Sequence, residues 1–111
     1  MRVVNLSAAE AFESPGHSGV APRWVQGGPR TPVDRFTVVL SHYEPGGQAE
    51  PAAQPAETVY VILSGRLTFE SEGDRVPAGP RDTVHFAKGE VRSVTNEGDG
   101  PADMLVIRAT S

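Results

Sequence analysis

Thr58-Val59-Tyr60-Val61-Ile62-Leu63-Ser64-Gly65-Arg66-Leu67-Thr68-Phe69-Glu70 is the stretch whose reading decides the fold. Its first six residues are apolar or β-branched at nearly every position, the pattern of a strand buried on both faces. Ser64-Gly65 reads as a tight hairpin turn, and Arg66 to Glu70 then alternates cleanly. Toward the C-terminus, further strands are expected at Asp82 to Phe86, Val91 to Asn96 and Ala102 to Arg108, with glycine-containing turns between them. Toward the N-terminus, Arg35 to Tyr43 is a strand whose period of two puts Phe36, Val38, Leu40 and His42 on one face. Glu44-Pro45-Gly46-Gly47 ends it, and Gln48 to Ala56, with little periodicity, reads as a linker. Strands recurring this often with turn signals between them specify an all-β antiparallel sandwich or barrel.

Composition agrees. Among 111 residues, 12 Gly and 10 Pro punctuate the chain too often for a helical bundle, and the length suits one domain. The one helix signal is Ser7-Ala8-Ala9-Glu10, which has capping-box spacing and predicts a short N-terminal helix stopped by Pro15-Gly16. Residues 1–33 read as an arm, with strand-forming pieces at Gly19-Val20-Ala21 and Arg23-Trp24-Val25. Its Trp24 and Val25 are expected to cover a barrel edge or a partner subunit. Residues 34–111 read as the barrel.

Several classes are excluded or disfavoured. The chain has no Cys, so it has no disulfide framework, thiol nucleophile or thiolate zinc site. A net charge of −4, without basic residues interleaved with aromatics, argues against nucleic acid as a partner. No signal-peptide-like or membrane-spanning apolar run is present, which makes the cytoplasm the default expectation.

Two segments resemble the cupins. Pro45-Gly46-Gly47 through Glu57-Thr58-Val59-Tyr60-Val61-Ile62-Leu63-Ser64-Gly65 is similar to the first cupin motif. Gly79-Pro80-Arg81-Asp82 through Lys88-Gly89-Glu90-Val91-Arg92-Ser93-Val94-Thr95-Asn96 is similar to the second. The resemblance covers roughly residues 34–109 and implies a small jelly-roll barrel. It also implies where metal ligands would lie: at Ala52, Gln54, Thr58 (with Glu57 one residue away) and Arg92. Ala has no donor, Arg is a permanent cation, and Gln or Thr offers only weak neutral oxygen. No metal and no other cofactor is therefore expected. A displaced site using the three histidines with Glu57 finds no support in their spacing.

On the same resemblance Arg92 shares an inward face with Val94 and Asn96. A buried guanidinium needs an anionic partner, either internal, such as Glu57 or Glu90, or a ligand carboxylate, phosphate or enolate. Glu57, His85 and Tyr60 are the candidate catalytic residues, since a carboxylate, an imidazole or a phenol at the cavity can move or hold a proton. Arg92, Gln54, His42 and Trp24 are the candidate substrate-binding residues, with His42 expected to point inward and His17 to lie in solvent. Each also has an ordinary reading as a packing or surface residue.

Two functions follow as expectations. One is a metal-independent enzyme performing proton transfer on a small anionic or carbonyl-bearing metabolite, as a lyase, isomerase, decarboxylase or cyclase does. The other is a non-catalytic binding or sensing module. A metal-dependent dioxygenase with atypical ligands is a third reading. Cupins commonly dimerise to cover an apolar sheet face, and a homodimer is expected here by that analogy.

Overall fold

The computed structural model describes Met1–Ser111. Nine strands and one 3-10 turn make up its regular structure. The deciding stretch forms β4 (Thr58–Ser64) and β5 (Leu67–Ser71), but the two are not a hairpin. β4 pairs with β7 (Thr83–Phe86) and β9 (Ala102–Ala109). β5 pairs with β6 (Asp74–Ala78) and β8 (Val91–Thr95). Gly65 stands where the two diverge: its φ is 72, and a Cβ there would lie 2.4 Å from the Pro101 carbonyl oxygen, so the position suits glycine. β4 is also buried on one face only. Thr58, Tyr60 and Ile62 are fully buried, Val59 and Val61 are half-buried, and Leu63 is exposed.

The largest departure from the expected layout is β3, which runs unbroken from Phe36 to Ala53. The glycines at 46 and 47 bend this strand where their sequence signals an end, and the presumed linker is its second half. β3 pairs with β9 over Phe36 to Tyr43 and with β8 over Gln48 to Ala53. Along its other edge lies β2 (His17–Gln26), to which the two-residue β1 (Glu10–Ala11) is added. The strand order β6-β5-β8-β3-β9-β4-β7, with β2 attached to β3, wraps into a nearly closed antiparallel barrel. β6 escaped the sequence reading because only Ala78 in it is buried and Pro77 interrupts it, as suits an edge strand.

The expected N-terminal helix is corrected to a single 3-10 turn, Leu6–Ala8, with Asn5 rather than Ser7 as its cap. The Asn5 side chain accepts from the Ser7 amide at 2.9 Å. None of the turn's residues is buried, so nothing rewards a longer helix there, and Glu10 joins β1 instead. No helix is long and apolar enough to cross a membrane.

The core is a cluster in which Tyr60 packs against Phe69 and Phe86 at centroid distances of 5.2 and 5.8 Å. Ile62, Leu67, Val94 and Met104 fill in around them. This aromatic plug occupies one side of the barrel and leaves a cavity on the other, between β3, β8, β9 and the overlying β2.

Candidate functional site

Parity decides what enters that cavity. On β3 the inward set is Thr37, Val39, Ser41 and Tyr43, so the expected face carrying Phe36, Val38, Leu40 and His42 turns outward instead. On β8, Arg92, Val94 and Asn96 are all buried on one face. On β9 the buried positions Ala102, Met104 and Val106 continue by twos to Arg108, which brings a second guanidinium into the cavity. The space measures about 200 Å³. That is below the ~300–1,000 Å³ of drug-sized sites and suits a small metabolite.

The two arginines are held in fixed relation by one hydrogen-bond chain. Arg92 Nε donates to the Tyr60 hydroxyl at 2.9 Å, and that hydroxyl donates to Gln54 Oε1 at 3.2 Å. The same oxygen accepts from an Arg108 terminal nitrogen at 2.8 Å, while Arg108 Nε donates to Thr58 Oγ1 at 3.0 Å. Thr58 in turn donates to the Ala56 carbonyl at 2.9 Å. Arg92 also donates to the Glu50 carbonyl at 3.3 Å. Every acceptor in this network is neutral. Neither guanidinium forms an ion pair, and no Asp or Glu lines the cavity. Arg92 does this while only 6% exposed.

The internal partners expected for Arg92 are engaged elsewhere. Glu57 bonds His85 Nε2 at 2.7 Å, and Glu90 accepts from the Ala87 amide at 2.8 Å. Glu57 and His85 are brought together, but on the outer surface, away from Arg92. The reason is register: His85 lies opposite Val59, an outward position of β4, and Glu57 has the same parity. Tyr60 lines the cavity. Gln54 is buried behind it and positions Tyr60 and Arg108 without facing the cavity itself.

His42, expected inside, is corrected to the outer surface. Its Nδ1 is 2.6 Å from Asp103 Oδ1 across β3 and β9, and its Nε2 is 3.2 Å from Glu44. The bond to Asp103 raises its pKa above the ordinary 6.5; burial opposes it as the next largest effect, and the Asp103 charge and then Glu44 add smaller upward pulls. A raised folded pKa gives stability that is full below about 6.5 and lost as pH rises through the folded value. Chemical denaturation should therefore show His42→Ala more destabilising at about pH 6 than at about pH 9. With the pair over a third exposed, solvent screening keeps the difference within about 1 kcal/mol. An equal loss at both pH values would mean that the pair carries no net charge interaction.

The N-terminal arm supplies the cavity's outer wall. Trp24 lines it and stacks on Phe12, with centroids 4.3 Å apart and planes at 18°. His17, expected in solvent, is half-buried and also lines the cavity. Tyr43 faces the same space, and burial holds its phenol protonated far above its ordinary value, against the smaller opposing pull of Arg92. Of the residues missed from sequence, Arg108 carried a usable signal in the alternation of β9. His17 carried none, because its place is set by pairing with Ala49.

The metal that cupin resemblance implies does not fit these residues. Gln54 and Thr58 use their oxygens to hold Arg108, Arg92 places a cation in the same space, and no group of three His, Asp or Glu side chains is arranged to hold a metal ion.

Comparison with known proteins agrees with the fold. The model of the cupin domain family matches residues 39–108. The β-D-galactosidase Rv1717 of Mycobacterium tuberculosis is 42% identical over 106 residues, covering 96% of this chain and 91% of that protein. Among solved structures, the polyketide cyclase RemF of Streptomyces resistomycificus superposes with a TM-score of 0.88 at 19% identity, over 100% of this chain and 80% of that one. A predicted oxalate decarboxylase of Thermotoga maritima gives 0.84 at 21% identity, over 97% and 98%. The two structures share the barrel with this chain, and the family match together with the mycobacterial relative settles the membership: this protein belongs to the cupin family.

Proposed function

We propose that the cavity binds a small anionic metabolite bearing a carbonyl or hydroxyl groups, and that the protein moves a proton on it without a metal. One observation carries this reading: two guanidiniums face a single small cavity whose lining contains no carboxylate. Burying such charge without an ionic partner is unfavourable, and a ligand carboxylate or phosphate supplies that partner with bidentate geometry. The fixed arginine pair also matches the need of proton-transfer chemistry for a preorganised cation near developing oxyanion charge. Ser41, Thr37 and Tyr43 offer hydroxyls to the rest of the ligand, and Trp24 offers an apolar face.

A second reading is hydrolysis of a β-galactoside. The name of the mycobacterial relative suggests it, and the stacked Phe12–Trp24 pair is a surface on which a pyranose ring can lie. Against it stands the lining itself, since glycosidases ordinarily flank the bond with two carboxyl groups about 5 to 9.5 Å apart. D-galacturonate and D-galactose, which differ by one carboxylate, separate the readings in a calorimetric titration. Galacturonate should bind at least about tenfold more tightly. Equal affinity for the two, together with release of nitrophenol from 4-nitrophenyl β-D-galactopyranoside, would favour the glycosidase and overturn the anion reading.

A further inference from the structure

We infer that His17 is the proton acceptor of this cavity: its ring lines the same space as Arg92 and Arg108, and a backbone bond fixes its tautomer so that Nε2 is left as the base. The inference rests on the anion-binding reading above and adds to it the group that performs the chemistry.

His17 Nδ1 is 3.0 Å from the Pro15 carbonyl. A carbonyl oxygen only accepts, so Nδ1 must carry the hydrogen, and in the neutral ring Nε2 must carry the lone pair. Nε2 meets no donor or acceptor of the protein. Of the three histidines, His42 and His85 both have carboxylate partners on the outer surface, and only His17 opens on the cavity.

Its half-buried place in the cavity wall, with two guanidiniums nearby, favours the neutral ring. Burial is the main cause of its lowered pKa, offset in part by the bond to Pro15. Arg92 from β8 and Arg108 from β9 repel its proton, and Glu50 from β3 opposes them. Glu13 and Arg23 border the adjoining hollow on the arm side. A ligand anion seated on the two guanidiniums would cancel their repulsion, so the ring becomes a better base when substrate is present.

The step balances without a co-reactant. A C–H bond next to the ligand's carbonyl breaks and its proton binds Nε2. The C–H electron pair becomes the C=C bond of an enolate, and the carbonyl π pair moves onto oxygen, facing a guanidinium. Where a β,γ double bond extends the enolate, return of the proton from Nε2 to the γ-carbon shifts that double bond into the α,β position, re-forms the carbonyl and restores the neutral imidazole, giving an isomerised product. The substrate class is thus a small β,γ-unsaturated carbonyl compound that carries a separate anionic group and an acidic C–H.

Long-range proton–nitrogen NMR of the full chain tests this, with the His17 ring assigned by its disappearance in His17→Gln. Sulfate serves as the probe anion because its charge stays constant between about pH 5 and 8. His17 should be the Nδ1–H tautomer, should titrate below about 6.5 in the free protein, and should rise by about one pH unit in saturating sulfate. An Nε2–H tautomer overturns the inference. So does a midpoint that sulfate leaves unmoved while the Arg92 and Arg108 Nε signals shift. If sulfate moves neither arginine, the anion-binding reading fails as well and takes the inference with it.

Discussion

Arg92→Met should weaken binding of an anionic ligand about a hundredfold and leave the empty protein at least as heat-stable as the wild type. Two charge-assisted hydrogen bonds to a ligand are together worth about 3 kcal/mol, and each factor of ten in affinity is about 1.4 kcal/mol. The stability half of the prediction is less ordinary. Removing one member of a buried ion pair strands the other, but Arg92 has no ionic partner to strand. Its acceptors are the Tyr60 hydroxyl, which keeps its bond to Gln54, and the Glu50 carbonyl. Methionine fills much of the same volume and carries no desolvation penalty. Calorimetric titration with galacturonate and a thermal melt of the same preparation check both halves. Affinity kept within about threefold, or a melting temperature lowered by more than about 5 °C, would mark Arg92 as a structural residue and not a ligand-binding one.

Gly47→Ala should be among the most damaging small substitutions in the molecule. A Cβ there would lie 2.4 Å from the Gly19 carbonyl oxygen and 2.9 Å from that of Glu44. Both obstacles are backbone, so no rotamer change relieves them, and β2 must move off β3. Overpacking of this kind costs about 3 kcal/mol or more, which lowers the melting temperature by roughly 12 °C for a domain of this size. The neighbouring Gly46 gives an internal control. Its φ is 81, but a Cβ there meets nothing, so Gly46→Ala should cost only about 1 kcal/mol of backbone strain. Comparable melting temperatures for the two variants would show that β2 does not cross β3 at van der Waals contact. Because β2 carries His17 and Trp24, Gly47→Ala should lose ligand affinity as well as stability.

These glycines also show what a sequence reveals and conceals. Pro45-Gly46-Gly47 is a strong break signal on local propensity, yet the long-range ladders to β8 and β9 carry β3 straight through it. Local rules recognise the positive φ of Gly46 but not the crossing that requires Gly47. The turn at Ser64-Gly65 was legible as a turn, whereas the partners of the strands it joins were not. Strands β7, β8 and β9 were readable to within a residue because alternation and glycine turns coincide there. The same alternation sets Arg92 on one face with Val94 and Asn96, which the cupin resemblance turns inward. Extended along β9, alternation also sets Arg108 on the face of Met104 and Val106. Glu57 and His85 were legible as chemistry and not as location, since a shift of one residue in register exchanges the inside of a strand for its outside. The capping-box spacing at Ser7 to Glu10 was real as a pattern, but it had no apolar face behind it to stabilise a helix.

The position of β9 has a consequence for how the protein comes to exist at all. It is the last strand in chain order, yet it lies between β3 and β4. A growing or refolding chain therefore holds two unsatisfied strand edges, those of β3 and β4, apart until this segment arrives to pair with both. Such non-local topologies fold slowly and leave open edges prone to intermolecular pairing. The segment that closes the barrel also carries Arg108, so the second half of the proposed anion clamp arrives in the closing step itself. Completion of the wall and assembly of the two-arginine cavity are one event, and no half-folded form of this chain would present both guanidiniums as the native state does.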